Sequence, residues 1–124
     1  MGDYKDLIGY QKSYALAMDI FEISKKFTVE EKYSLTDQIR RSSRSVCANL
    51  AEAYRKRRYP AHFVAKLSDA ETENAETQVW LDYALACKYI DQKTYQDLIN
   101  KSEEIGRLLS HMINNPQKYS GNMQ

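Results

Sequence analysis

The segment "QIRRSSRSVCANLAEAYRKRR", residues 38–58, decides the fold and carries the densest charge in the chain. It holds seven arginines and lysines and a single acid, Glu52. Ile39, Val46 and Leu50 recur at helical spacing, and they predict a helix with one buried side. The segment therefore combines a core helix with a basic surface. The partner of that surface decides what the protein does.

The length and composition indicate one all-α domain spanning residues 1–124. The chain has only four glycines and two prolines, and it is rich in residues that favour helices. Its formal net charge is +1, so affinity for nucleic acid would have to come from local clusters of charge.

The sequence also predicts a cytoplasmic protein with no membrane partner. It contains no apolar run long enough to span a bilayer, and its first residues lack the apolar region of a signal peptide. Cys47 and Cys87 both fall inside helical patterns. We interpret them as reduced core thiols, as is usual in the cytosol.

The apolar periodicity predicts four helices and a frayed tail, at about residues 7–27, 35–58, 60–89, 92–115 and 116–124. Ser34 and Asp91 are the predicted N-caps of the second and fourth helices, and Pro60 suits the first turn of the third. Because the connections are short, consecutive helices are expected to be antiparallel. The predicted fold is an up-down-up-down four-helix bundle.

Helices 1 and 3 each carry two apolar stripes, whereas a helix of such a bundle needs one. In helix 1, the stripe assigned to the core contains Tyr10, Tyr14 and Met18. We expect the second stripes to contact another subunit. The predicted oligomer interface consists of Leu16, Ile20, Ile23, Trp80 and Tyr83. The alternative is a tilted bundle that buries both stripes within one subunit.

Five arginines of helix 2 project within an arc of about 100°, opposite the apolar stripe. They are Arg40, Arg41, Arg44, Arg55 and Arg58. The small residues Ala48 and Ala51 lie between them, which predicts a shallow trough with guanidinium groups at each end. Arginine suits planar, bidentate recognition of phosphate or carboxylate.

Three interpretations of this basic face are open: a solvated surface, contact with the phosphates of RNA or DNA, and docking of an acidic helix from a neighbouring subunit. Helix 3 offers such a helix, with carboxylates at Asp69, Glu71, Glu73, Glu76 and Asp82. The face shows no clear interleaving of exposed aromatic residues, which single-strand binders use for stacking. The first and third interpretations together outweigh the second.

Polar residues at the edge of helix 2 and in helix 3 have a structural and a functional interpretation. Asn49 and Glu52 lie one turn apart, and either form a polar pair in a site or bridge a neighbouring helix, which we favour. Asn74 falls on the core stripe of helix 3 and needs hydrogen-bond partners there. Ser42 or Ser43 is expected to supply them.

The sequence nominates no catalytic residues. His62 and His111 have no partner at ligand or triad spacing. Paired Glu-x-x-His motifs, a glycine-rich phosphate loop, CxxC and HExxH are all absent from the sequence. We therefore predict a non-enzymatic protein with no cofactor and no metal site.

The segment "LTDQIRRSSRSVCANLAEAYRKRR", residues 35–58, resembles the signature of the bacterial proteins encoded within intervening sequences of 23S ribosomal RNA genes, often called ribosomal-like. Gln38, Asn49 and Glu52 are the polar motif residues outside the arginines. Ser42 and Ala53 depart from the family pattern. The similarity continues weakly over residues 7–113.

This resemblance implies a four-helix-bundle protomer that assembles into a homopentamer. The accessory proteins of diversity-generating retroelements look related and are thought to bind RNA and reverse transcriptase. The resemblance therefore implies an oligomer that engages RNA or an RNA-associated protein through the basic face. The alternative is a structural oligomer whose arginines dock helix 3 of a neighbouring subunit, with no role in nucleic-acid binding.

Overall fold

The computed structural model describes residues 3–120, and every regular element in that range is a helix, with no strand. The four long helices are α1 Ile8–Ser24, α2 Leu35–Arg55, α3 Pro60–Ala86 and α4 Gln92–Asn114. Two 3₁₀ turns and a short helix complete it, at Tyr4–Asp6, Val29–Glu31 and, as α5, Gln117–Ser120. None of these helices combines the length and the hydropathy needed to cross a bilayer.

The first residues of α2, α3 and α4 agree with the prediction, and two of the predicted helix starts are well explained. Pro60 occupies the first turn of α3, where its missing N–H costs nothing. Asp91 caps α4, because its Oδ1 accepts the backbone N–H of Thr94 at 2.8 Å. By contrast, α2 ends at Arg55 rather than at residue 58.

Ser34 is the N-cap residue of α2, as predicted, but its side chain makes no capping hydrogen bond, and the carboxylate of Glu31 caps the helix instead. Oε1 of Glu31 accepts hydrogen bonds from the Ser34 hydroxyl at 2.6 Å and from the Leu35 N–H at 3.3 Å. Its Oε2 accepts the Tyr89 hydroxyl at 2.8 Å. These bonds, led by the one from Ser34, lower the pKa of Glu31. One carboxylate therefore joins the α1–α2 connection to the residues that follow α3.

Each long helix packs against two others: α2 and α4 both contact α1 on one side and α3 on the other. Their facing sides form one apolar core. Its fully buried members include Ile39, Leu50, Phe63, Leu67, Leu81, Ile105 and Leu109. Burial of these side chains is the main force that holds the helices together.

The buried face of α1 differs from the predicted one. Its buried residues are Gly9, Ser13, Leu16, Ala17, Ile20 and Ser24. Leu16 and Ile20 are 3% and 0% exposed, so the prediction that they form an oligomer interface is wrong. The predicted core residues Tyr14 and Met18 are instead 54% and 43% exposed. Small and hydroxyl residues line the face that approaches the other helices, and an apolar pattern does not detect them.

A layer of buried polar residues joins α2, α3 and α4. The hydroxyls of Ser42 and Thr77 lie 2.8 Å apart. Asn74 donates from Nδ2 to the backbone carbonyl of Ser102 at 2.9 Å and accepts the Ser102 hydroxyl on Oδ1 at 2.9 Å. The expectation that Ser42 or Ser43 serves Asn74 is therefore wrong, because α4 supplies its partner. The satisfied amide fixes the register between α3 and α4.

The cysteines and the C-terminal segment also depart from the prediction. Both thiols are free, but only Cys47 is buried; Cys87 is exposed because α3 ends at Ala86. The predicted tail begins with α5, where the Tyr119 ring packs 6.1 Å from the Phe63 ring. The expectation of a frayed tail is wrong for that part, and residues 121–124 lie outside the described residues.

Candidate functional site: the arginine face of α2

Four of the five predicted arginines form one helical surface, which we call the arginine face: Arg40, Arg41, Arg44 and Arg55. They lie on the side of α2 opposite the buried Ile39, Val46 and Leu50, as the periodicity predicted. Arg58 does not share this surface by helical position, since α2 ends at Arg55. It is exposed in the turn before α3.

Two arginines of this face are held over α1. The Nε of Arg40 donates to the Ser24 hydroxyl at 2.7 Å. The guanidinium carbons of Arg40 and Arg44 lie 4.8 and 5.8 Å from the centroid of the Phe21 ring. These cation–π contacts limit the motion of both side chains. The two guanidinium groups are therefore placed along the α1–α2 edge before any ligand arrives.

The carboxylates of the protomer pair with lysine and leave the arginines free. The shortest contacts between helices join Lys12 to Glu104 at 3.1 Å, Lys66 to Glu52 at 2.9 Å and Lys101 to Asp19 at 2.9 Å. Within residues 3–120, no ion pair involves an arginine. Exposed pairs of this kind add little stability. The arginine face thus keeps its positive charge uncompensated.

The acidic residues of α3 begin near Arg41. Glu73 has a raised pKa, first because it is partly desolvated and then because Glu76 and Asp69 lie nearby. The charge of Arg41 acts in the opposite direction and lowers the pKa of Glu73. A basic surface and an acidic surface therefore meet along the α2–α3 boundary.

The three polar motif residues are not brought together into one site. Glu52 bridges to Lys66 of α3, and this hydrogen bond raises the pKa of Lys66. Asn49 donates from Nδ2 to the Ser45 carbonyl of its own helix at 2.9 Å. Gln38 is exposed near the other end of α2. Glu52 therefore has the bridging role that we favoured. Asn49 instead bonds within its own helix, and Gln38 lies on the exposed surface.

A groove of about 430 Å³ runs between α1 and α2 beside the arginine face. Ala48 and Ala51 line it, as predicted for the trough, but Arg44 is the one predicted arginine among its described lining residues. The sequence did not predict the other wall of the groove, which Tyr10, Tyr14 and Met18 of α1 form. The signal that could have revealed this wall is the set of small residues on α1, whose burial turns the tyrosines outward.

A second groove, of about 400 Å³, lies at the other end of α2. Gln38, Trp80, Tyr83 and Tyr33 contribute to its lining. Trp80 is half-buried against Tyr83, with ring centroids 5.9 Å apart. Tyr83 and Tyr33 are 55% and 84% exposed. Two of the five predicted interface residues, Trp80 and Tyr83, belong to this aromatic surface on α3. A third, Ile23, is half-buried against the core.

Residues 3–120 contain no group of three or more His, Cys, Asp or Glu side chains arranged to hold a metal ion. The two histidines pack on tyrosines: the His62 ring lies 6.2 Å from Tyr59, and the His111 ring 6.2 Å from Tyr119. The buried Cys47 thiol has a pKa raised to about 11 by desolvation. Cys47 is therefore a protonated, unreactive thiol at neutral pH.

Comparison with known proteins identifies the family. The model of the 23S rRNA-intervening sequence protein family matches residues 5–111. The chain belongs to this family. The assignment confirms the resemblance carried by residues 35–58, and the whole arginine face lies inside the matched range. No curated protein matches this chain.

A solved structure shows the same fold. It is the crystal structure of a protein of unknown function from the S23 ribosomal protein family of Bacteroides thetaiotaomicron VPI-5482. The two sequences are 34% identical, and the structures superpose with a TM-score of 0.77. The alignment covers 86% of this chain and 98% of that chain.

Proposed function

We propose that the protein is a non-enzymatic, oligomeric, cytoplasmic protein that binds RNA phosphates through the arginine face and Arg58. The observation that carries the proposal is the division of charge: lysines take the ion pairs, while the arginines of α2 take none within the described residues. A guanidinium group offers two parallel N–H donors to a phosphate. A row of such groups suits a polyanionic backbone.

The placement of the arginines supports this function. Arg40 and Arg44 are held against Phe21 and Ser24, so less side-chain entropy is lost when a phosphate binds. Arg55 lies eleven positions after Arg44, about 16 Å further along the helix axis. The face is therefore long enough to contact successive phosphates of one strand rather than a single anion.

We infer that the protomer is an antiparallel up-down-up-down bundle. Contacts between α2 and α3 support it, since Glu52 near the end of α2 meets Lys66 near the start of α3. Earlier in α2, Ser42 meets the later Thr77. In the same way Lys12 pairs with Glu104, and the later Asp19 pairs with the earlier Lys101. This arrangement places the arginine face on the outside of α2.

We also propose that the protomers assemble, with a homopentamer as the expected form, through the aromatic surface of α3. Its exposed apolar residues are Val79 and Tyr83, beside the half-buried Trp80 and the exposed Tyr33. Large clusters of exposed apolar side chains are typical of surfaces that contact other proteins. Leu16 and Ile20 have no part in this interface, because the core buries them.

A second candidate function is favoured by the acidic residues of α3. Asp69, Glu71, Glu76 and Asp82 are exposed, and the pKa of Glu73 is raised partly by its acidic neighbours. A neighbouring subunit could relieve this repulsion by docking its arginine face there. The protein would then be a structural oligomer whose arginines are covered and unavailable to RNA.

One paired experiment separates the two functions. Arg41, Arg44, Arg55 and Arg58 are replaced together by Gln, leaving Arg40 in its contact with Ser24. The matched control replaces the exposed lysines Lys26, Lys32, Lys93 and Lys118 by Gln. RNA affinity, by fluorescence anisotropy with a labelled single strand, and oligomer mass, by light scattering, are measured on each protein.

The RNA function predicts that the arginine variant loses affinity, keeps its mass, and loses more affinity than the lysine control of equal charge. The docking function predicts that the oligomer of the arginine variant dissociates, and that Glu73→Lys has the same effect. A parent protein with no salt-sensitive affinity for RNA rules out the RNA function.

A further inference from the structure

The groove between α1 and α2, which we call the slot, has an aromatic wall on α1 and small residues on α2. On the α1 side, the rings of Tyr10 and Tyr14 are stacked, with centroids 6.2 Å apart and planes inclined by 28°. Tyr4 packs edge-on against Tyr10 at 5.0 Å, which holds the inner ring in place. The outer ring, Tyr14, is 54% exposed and has no aromatic neighbour on its free face among the described residues.

The floor of the groove is small and uncharged. Ala48 and Ala51 offer only a methyl group each, so a planar ligand can approach the α2 backbone closely. Cys47 lies below them as a protonated thiol, because burial raises its pKa to about 11. The pKa of Tyr10 is also raised, mainly by desolvation, which keeps its phenol neutral. No carboxylate is among the described residues that line this groove.

Along α2, one cation lines the slot, and a second lies beyond its lining on the same helical stripe. Arg44 lines the groove one turn before Ala48, and Arg55 follows one turn after Ala51 on the same stripe. On α1, Phe21 continues the wall from Met18 and carries Arg40 and Arg44 above its ring. A neutral aromatic slot on a stripe that carries Arg44 before it and Arg55 after it suits a base within a strand, whose phosphates continue in both directions.

We propose that the groove between α1 and α2 binds an unpaired base of single-stranded RNA, stacked on Tyr14, while Arg44 and Arg55 contact phosphates of the same strand before and after that base. This inference rests on the proposed RNA function and adds to it a preference for single strands. A duplex cannot place a base there, because its bases are stacked and paired internally. An acidic protein helix would satisfy the arginines but would leave the slot without a planar occupant.

The test uses Tyr14→Ala, a change at an exposed position that removes the stacking surface and no charge. The control is Tyr33→Ala, since Tyr33 is 84% exposed and lies outside this groove. The probe is a fluorescein-labelled oligoadenylate about 12 nucleotides long, matched by the same strand annealed to its complement. Tyr14→Phe, which keeps the ring, is the rescue variant.

Loss of one stacked base should weaken single-strand binding by about 5- to 150-fold for Tyr14→Ala. Tyr14→Phe and Tyr33→Ala should bind like the parent. Duplex affinity should be weaker than single-strand affinity in the parent and unaffected by Tyr14→Ala. The salt dependence of single-strand binding should be the same in parent and variant, because no phosphate contact is lost.

A base-stacking signal provides an independent measurement. Oligoadenylate with 2-aminopurine in place of one adenine should change its fluorescence on binding the parent, and this change should be smaller with Tyr14→Ala. If the parent binds RNA in a salt-dependent way and Tyr14→Ala binds equally tightly, the groove is not a base site, although the RNA function stands. If the parent binds no RNA and Tyr14→Ala lowers the oligomer mass, the groove is a subunit contact and both proposals fall.

Discussion

The side chain of Glu31 both caps α2 and joins the connection between α1 and α2 to Tyr89, in the segment after α3. Its three hydrogen bonds come from Ser34, Leu35 and Tyr89. Sequence reasoning assigned the cap of α2 to Ser34 because serine is a preferred N-cap residue. A carboxylate three positions earlier could not be recognised as the cap, since its role depends on how the 3₁₀ turn Val29–Glu31 folds back.

The pKa of Glu31 leads to a prediction about pH. Hydrogen bonds lower this pKa in the folded state, so the folded protein binds fewer protons than the unfolded chain in the acid range. The resulting stability is fully present above the ordinary glutamate pKa and is lost as the pH falls through the lowered one. We expect Glu31→Gln to flatten the rise of stability with pH in the acid range, around and below the ordinary glutamate pKa.

Urea melts of parent and Glu31→Gln at several pH values measure this effect. Glu30→Gln is the control, since Glu30 is exposed and makes no hydrogen bond within the described residues. Equal pH dependence in the parent and both variants would mean that the carboxylate of Glu31 is solvated rather than bonded.

The burial of Leu50 allows a second prediction, about stability. This residue is fully buried on α2, directly opposite the arginine face, so its position and the outward direction of the arginines depend on the same helical phase. Leu50→Ala should reduce the free energy of unfolding by about 2–5 kcal/mol, from lost burial and a residual cavity. Val29→Ala, at an 86% exposed position, should change it by less than about 0.5 kcal/mol. A loss near zero for Leu50→Ala would contradict the assigned phase of α2.

Among the helices, α2 was predictable and α1 was not. The buried residues of α2 are mostly apolar and regularly spaced, so the periodicity alone gave its phase and the outward arc of the arginines. The buried face of α1 includes Gly9, Ser13 and Ser24, which read as polar or neutral. Because the tyrosines of α1 score as apolar, they were assigned to the core, and the wall of the groove was missed for that reason.

The polar layer shows the same limit in α3 and α4. Sequence reasoning recognised that Asn74 must have a buried partner, but it could not tell that α4 rather than α2 supplies it. Periodicity states which side of a helix is buried and leaves open which neighbour covers each residue. The partner, Ser102, falls on the buried stripe of α4, but that position does not show which helix its hydroxyl serves.

Gly106 in α4 permits a prediction about this layer. A Cβ added there would lie 3.5 Å from Nδ2 of Asn74, an ordinary contact distance. Because glycine inside a helix is less favourable than alanine, Gly106→Ala should stabilise the protein by about 0.5–1 kcal/mol in denaturant melts. A loss of stability would indicate that the new methyl group displaces Asn74 and breaks its bond to the Ser102 carbonyl.

For the whole molecule, a net charge of +1 conceals two neighbouring surfaces of opposite charge, one basic on α2 and one acidic on α3. The sequence predicted both surfaces, yet it could not tell whether they meet between subunits. The answer depends on the proposed assembly, which relies on exposed apolar surface. Val79 and Tyr83 are the residues of α3 that provide it.

Assembly is testable by mass. The parent should elute several times heavier than the 14.5 kDa protomer in size exclusion with light scattering. Tyr83→Asp should lower that mass, because it puts a charge into the proposed aromatic contact. Ile8→Asp should not, since Ile8 is 59% exposed at the opposite end of the helices. A parent that remains monomeric at about 50 µM would contradict the proposed interface.

The most direct test of the central claim is the salt dependence of RNA binding. The affinity of the parent and of the Arg41, Arg44, Arg55 and Arg58→Gln variant for single-stranded RNA is measured across a salt series. Each phosphate contact on a single strand contributes about 0.7 to the slope of log affinity against log salt, so four contacts contribute about 2.8. We predict a slope that is shallower by about this amount in the variant, at unchanged oligomer mass. Parallel lines for the two proteins would contradict the claim that these arginines bind RNA phosphates.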